Sequence, residues 1–336
     1  MNRKKNIKKL YTLKYTTIFF LCLIISCSKK ASKEVSPFYI KINGLMADRK
    51  QEISGMDWYK DNLFLLPENL NGYVFSIKKE EIDARINKAD TSAVTPNKMR
   101  FNTPDYKTTI PGFDSFEAIA FRGFEVYISI EIRFPDSMGC LLARGHINEK
   151  TLEITIPEQT LIPFEVPTFV DNMSYESLII KKDRVYALFE ANGDSLINNP
   201  YVLSVNVSGN DIKKHPTSSI NYRIADATRI DQNNRFWAIN YFYPGDKKIL
   251  KPGKDFFISE YGEGPTHSRS ERVERLVEYK ISNNRIVHTN NPHIELALEG
   301  EKISRKWEAL ARYEDRGFLI ATDKYPTTIL AYIPLD

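Results

Sequence analysis

The chain has 336 residues, 47 of them basic and 43 acidic, for a formal net charge of +4; hydrophobic residues make up 42% and aromatic residues 12%. Six of the basic residues (Arg3, Lys4, Lys5, Lys8, Lys9, Lys14) precede residue 15 with no acid among them, so the rest carries −2 and offers no basic surface for nucleic acid. With three cysteines, two of them close to the N-terminus, neither a disulfide framework nor a cysteine-cluster metal site fits.

The basic opening is followed by an uncharged stretch from Tyr15 to Ser26, the pattern of an export signal. At 12 residues it is shorter than the roughly 20 that span a bilayer. Leu23-Ile-Ile-Ser26 ahead of Cys27 resembles the lipobox of bacterial lipoproteins. That resemblance implies lipid on the Cys27 thiol, cleavage before it, and a membrane partner held through the acyl chains, since stable anchoring takes more than one chain. Residues 1–26 are then a signal peptide and 27–36 a lipidated, flexible tether. Residues 37–336 form a single domain. Without an acidic run after Cys27, the expected place is the outer membrane, facing the periplasm. Cys22 leaves with the signal, and Cys140, beside Leu141 and Leu142, reads as a small buried hydrophobe.

Beyond the tether, five segments repeat one pattern: a polar residue, an apolar strand, a turn rich in Asp, Asn or Gly, a second apolar strand and another polar residue. The polar pairs are Ser54 and Glu68, Glu117 and Glu131, Glu176 and Glu190, Asp226 and Asn240, and Glu308 and Asp323. The first four are 14 residues apart and the last 15. A further strand candidate follows each hairpin, at 72–77, 139–144, 201–207, 275–281 and 328–333. This predicts an all-β chain folded as a β-propeller of five blades, with six as the alternative. The chain stops soon after the last repeat, so residues 38–42 are expected to close the ring as a strand beside 328–333. A Pro-, Gly- and Lys-rich insertion spans about 244–270. Trp58, Trp237 and Trp307 fall within or beside repeat hairpins and are assigned to packing between blades.

Residues equidistant from a hairpin turn lie opposite one another, so Glu117 is expected to face Glu131, Glu176 to face Glu190, and Glu308 to face Asp323. With the first strands lining the channel, Glu68, Glu117, Glu131, Glu176, Glu190, Asp226, Asn240, Glu308 and Asp323 gather at one mouth, with Lys324 as a local cation. So many carboxylates need a cation, Arg or Lys partners, or shared protons. Calcium is the metal that variable oxygen ligation suits, with Glu117, Glu176, Asp226 and Glu308 as expected ligands. The alternative is a structural network that accepts backbone N–H groups from adjacent blades. Arg269, Arg272 and Arg275, three residues apart, would share a face of one helical turn and could clamp an anion, against the reading of a solvated loop balanced by Glu271 and Glu274. The five histidines show no metal-ligand spacing, and neither a nucleophile elbow nor a phosphate-binding glycine loop is present.

The runs Ser115-Phe-Glu-Ala-Ile-Ala-Phe121, Ala225-Asp-Ala-Thr-Arg-Ile-Asp231, Arg235-Phe-Trp-Ala-Ile-Asn-Tyr241, Arg275-Leu-Val-Glu-Tyr279, Lys306-Trp-Glu-Ala-Leu310 and Gly317-Phe-Leu-Ile-Ala-Thr-Asp-Lys-Tyr-Pro326 resemble the esterase-like-phytase family of exported bacterial propellers, and more distantly the SdiA-regulated family. The resemblance runs from about Glu52 to Leu335. The aspartate arrays with which established propeller phytases hold several calcium ions do not recur here. Two function classes follow: a monomeric binding propeller that takes a small ligand or a partner at its acidic mouth, and a calcium-assisted hydrolase of phosphate or carboxylic esters. No nucleophile–base pair is visible, which favours binding.

Lipid attachment at Cys27 is directly checkable. Cys27→Ala should abolish incorporation of a palmitate analogue in labelled cells, and incorporation at the normal level would overturn the assignment.

Overall fold

The computed structural model describes residues 30–68, 72–300 and 304–335. The signal (1–26) and Cys27 lie outside the described residues. Among the described residues no helix is long and apolar enough to cross a membrane.

The fold is a β-propeller. Two short strands come first, β1 (Lys33–Val35) and β2 (Phe38–Ile40). The first repeat supplies β3 (Ile53–Tyr59), β4 (Asn62–Pro67), β5 (Tyr73–Lys78) and β6 (Asn97–Asn102). The second supplies β7 (Phe113–Arg122), β8 (Glu125–Phe134), β9 (Ser137–Ile147), β10 (Ile154–Thr155) and β11 (Leu161–Phe164). The third is β12 (Tyr175–Lys181), β13 (Arg184–Phe189), β14 (Tyr201–Asn206) and β15 (Ile212–Pro216). The fourth is β16 (Arg223–Ala227), β17 (Arg235–Phe242), β18 (Val273–Ser282), β19 (Arg285–His288) and β20 (Ile294–Leu296). The last is β21 (Trp307–Tyr313), β22 (Gly317–Thr322) and β23 (Leu330–Pro334). Within each repeat the first three strands pair antiparallel in sequence order, and a parallel pairing of β6 with β10 joins the outer edges of the first two repeats.

The first strands contact one another in a closed cycle, β3 to β7 to β12 to β16 to β21 and back to β3. Five buried apolar clusters occupy the gaps between successive repeats. The reason is visible in β4, where side chains alternate across the sheet. Leu63 and Leu65 pack toward the last repeat, while Phe64 and Leu66 pack toward the second. A sheet covered on both faces needs an uninterrupted apolar run, which is why the second strands read Leu-Phe-Leu-Leu rather than alternating. Five first strands thus ring one axis.

The N-terminal segment laces the ring shut. β2 pairs antiparallel with β23, Tyr39 opposite Ala331, as the short last repeat required. β1 corrects the expectation of a free tether through residue 36: it pairs in parallel with β20 at the edge of the fourth repeat. Glu34 accepts hydrogen bonds from the Thr266 and His267 backbone N–H groups, from the Thr266 hydroxyl, and from His267 Nδ1 at 2.9 Å. Behind both strands, Arg305 is buried against Glu274 at 2.8 Å and donates to Tyr39 Oη, and Trp307 Nε1 donates to the same carboxylate. Trp58 Nε1 donates to the Arg312 carbonyl of the last repeat, and Trp237 packs on Phe318, so each tryptophan joins two repeats. Residues 244–270 leave β17 and return at β18 as short helical turns, including a helix at Phe256–Tyr261.

Ile40 is 3% exposed and belongs to the cluster between the last and first repeats. Ile40→Ala should therefore cost about 2–5 kcal/mol in urea unfolding. An unchanged midpoint would show that ring closure does not depend on this strand.

Candidate functional site

The register of every repeat hairpin breaks at the same place. Pairing skips Ser54 in β3, Glu117 in β7, Glu176 in β12, Ala225 and Asp226 in β16, and Glu308 in β21. A bulge sets two residues against one and redirects the side chain it carries. The expected facing of acid on acid is corrected accordingly. Glu131 lies opposite Ser115, the Glu190 N–H donates to the Ser174 carbonyl, and the Asp323 N–H donates to the Lys306 carbonyl. The hairpin turns set the pairing one residue off that expectation and the extra residue in the first strand adds one more, so each partner slides by two.

The mouth is a cavity of about 330 Å³ whose walls include Glu52, Glu68, Glu117, Glu131, Glu176, Glu190 and Glu308, with Arg223, Lys306 and Lys324. Three cations meet part of this charge. Lys306 Nζ sits 2.7 Å from Glu308 and 3.3 Å from Asp323. Arg223 bridges Glu190 at 2.5 Å and Asp246 at 2.8 Å, and Lys324 meets Glu52 at 3.0 Å. Elsewhere the carboxyls pair with each other: Glu117 is hydrogen-bonded to Glu176, Glu52 to Glu68, and Asp114 to Glu131. Ser115 Oγ also donates to Glu117.

Two carboxyls can share a hydrogen bond only if one holds a proton, and burial supplies the reason. Burial pushes Glu117 up to about 7 and Glu308 up to about 8, although Lys306 pulls against both. Burial and the neighbouring Glu117 raise Glu131 to about 10 and Glu68 to about 11, and drive Glu176 well above the ordinary range. Glu190 is raised less because Arg223 offsets its burial. One oxygen each from Glu117, Glu131 and Glu176 lies within 4.8 Å of the others. Glu131 Oε2 and Glu190 Oε2 are buried in the wall with no hydrogen-bond partner.

Three residues expected at the mouth, Asp226, Asn240 and Asp323, are not in its wall. Asp226 faces the neighbouring repeat: its carboxylate accepts the Ala227 and Leu310 backbone N–H groups at 2.7 Å each, so the proposed ligand set loses this member. Asn240 is fully buried, accepting from Arg275 Nε and donating to the Asn221 and Arg223 carbonyls. Ser54 likewise donates to the Phe116 carbonyl across blades. Asp323 sits just behind the wall on Lys306. The arginine clamp is also corrected. Residue 270 onward is extended, so the three side chains diverge. Arg275 is buried on Asp255 at 2.9 Å, Arg272 donates to the Gly300 carbonyl, and exposed Arg269 donates to the Pro265 carbonyl.

Glu52, Arg223 and Lys306 were missed. Glu52 and Lys306, like Ser115 and Ser174, stand two residues before the bulged residue, and the period-2 rule for strands already points that way. Arg223 stands three before Asp226 and carries no such signal. A second cluster, Glu34, His267 and Glu295, has ligand atoms equally close. There both ring nitrogens of His267 are engaged, Nδ1 with Glu34 and Nε2 by the Glu274 N–H, which makes it an anchor for β1. Burial pushes the Cys140 thiol up to about 12, which leaves it inert.

No protein-family model and no curated protein matches the chain. Solved structures of similar fold include a GH43 endo-arabinanase from Bacillus licheniformis, with a TM-score of 0.50 at 7% identity over 88% of this chain and 96% of that one. The soluble aldose sugar dehydrogenase of Escherichia coli has a TM-score of 0.44 at 10% identity over 90% and 100%, and a glucose dehydrogenase 0.42 at 9% over 86% and 98%. At 7% identity the likeness to the arabinanase is one of fold.

The raised carboxyls set a pH dependence. The folded state keeps protons on Glu117 and Glu308 that an unfolded chain, with ordinary values of 4.5, releases. Their contribution to stability is complete below about 4.5 and is lost as pH climbs through about 7 to 8. In chelator, the melting temperature should fall across pH 5–8, and Glu117→Gln should flatten the profile. A wild-type profile that rises over this window would contradict the protonated network.

Proposed function

We propose that the protein is a membrane-anchored, exported propeller whose acidic mouth binds a divalent cation, calcium before magnesium, and through it a small ligand or partner. One observation carries this reading: Glu117, Glu131 and Glu176 converge on one point with a buried, unpartnered oxygen on Glu131. Hard carboxylate oxygens at unequal distances suit calcium, which tolerates irregular coordination. The cation would displace the protons held among these carboxyls, so its affinity should rise with pH. The sequence resemblance to the esterase-like-phytase family agrees with an exported acidic propeller, and Cys27 supplies the lipid that would hold it at the outer membrane, facing the periplasm.

The hydrolase reading has its own support in Glu117. A carboxyl poised near 7 beside the Lys306 cation is matched to proton donation at neutral pH. With calcium held by Glu131 and Glu176 and polarising a phosphate or carboxylic ester, Glu117 would keep its proton and pass it to the leaving group as water attacks. Calcium-dependent hydrolysis of p-nitrophenyl phosphate or acetate that disappears in Glu117→Gln would establish this activity.

Cation binding is tested by thermal melts in chelator against excess calcium. At a hundredfold excess over the dissociation constant, the fold should gain about 2.7 kcal/mol. Glu176→Gln should remove the shift. Asp226→Asn, which lies off the cavity, should lower the baseline melting temperature and keep the shift. No calcium shift in the wild type would leave the carboxyl network purely structural.

A further inference from the structure

We infer that the stretch Lys247 to Phe256 of the insertion is a membrane-docking surface that lies on anionic phospholipid headgroups beside the lipidated N-terminus. The inference rests on the reading of Cys27 as the lipid anchor. The described chain begins at Lys30, three residues after Cys27, a span of at most about 10 Å. Its point of departure is set by the insertion: the Ser32 N–H donates to the Tyr261 carbonyl at 2.9 Å, and Lys30 Nζ donates to Asn291. Tyr261 ends the helix that Phe256 begins, and the two rings stand 6.4 Å apart. An acyl chain on Cys27 therefore brings this helix to the bilayer.

The surface presented there has the composition that an interface selects. Phe256 is 54% exposed and Ile249 43%, although both could have been turned inward like their neighbours Phe257 and Leu250, which are buried. Lys247, Lys248, Lys251 and Lys254 lie in the same stretch of chain, all exposed. Lys247 meets Glu271, while Lys248, Lys251 and Lys254 make no ion pair among the described residues. The acid within this stretch, Asp255, is buried and committed to Arg275 and to the helix N–H groups. Basic side chains interspersed with exposed apolar ones fit anionic headgroups over an acyl boundary, and a second attachment is what a lipid anchor gains most from. The insertion leaves β17 at the mouth end, and Tyr243 and Asp246 share a cavity wall with Arg223 and Lys306, so docking would hold the rim of the mouth close to the bilayer.

The test uses the full chain with one added cysteine, Ser259→Cys in the helix or Asn233→Cys at the far turn of the same blade, labelled with an environment-sensitive dye; buried Cys140 does not compete. Each is reconstituted with vesicles of three parts phosphatidylcholine to one part phosphatidylglycerol that carry a nitroxide-labelled lipid. The dye at 259 should be quenched and that at 233 should not. Lys248→Glu, Lys251→Glu and Lys254→Glu together should abolish the preference for anionic vesicles, since each lysine contributes on the order of fivefold to partitioning. A chain that floats with its vesicles while 259 stays unquenched, or is quenched no more than 233, overturns the docking and leaves the anchor standing. A chain that does not float overturns both.

Discussion

The repulsion among carboxyls packed around one axis is the constraint from which the rest of this structure follows. Two like charges about 4 Å apart near a protein surface repel by roughly 4 kcal/mol, and a native state is worth only some 5–15 kcal/mol in total. The mouth meets this in two ways. Lys306, Arg223 and Lys324 neutralise Asp323, Glu190 and Glu52. The remaining carboxyls keep protons and bond to each other. Such a site is compact when neutral.

The propeller explains why the acids are there at all. Its blades are covered on both faces by neighbouring blades, so their side chains must be apolar almost throughout. Polar groups survive only where backbone N–H groups or the axial cavity can satisfy them. The recurrent bulge does the sorting. It swings Glu117, Glu176 and Glu308 into the cavity and Ser54 and Asp226 onto the backbone of the next blade. One local device thus serves two ends, joining blades in some repeats and building the mouth in others.

The N-terminal segment ties the insertion to the ring. β2 completes the last blade, β1 extends the fourth, and Glu34 fixes the insertion through Thr266 and His267. The N-terminal strands, the insertion and the edges of the fourth and last repeats therefore belong to one hydrogen-bonded network.

Much of this was legible in the chain itself. The 14-residue spacing of polar residues, the uninterrupted apolar second strands and the short last repeat are local or periodic features, and they specified an all-β propeller closed by an N-terminal strand because strand period and edge pairing depend on little else. They also pointed to Glu117, Glu131, Glu176, Glu190 and Glu308 as one group. Which acids face the cavity could not be read this way. A single bulge moves a side chain from one environment to another, and whether Asp226 meets water or the Leu310 N–H is decided by a residue 84 positions away. The same holds for Arg275, which a helical spacing would have exposed but which an extended strand buries on Asp255. Local pattern determined the blades and the polar positions on them. Contacts between blades, remote in sequence and set by packing, decided which of those positions became a site.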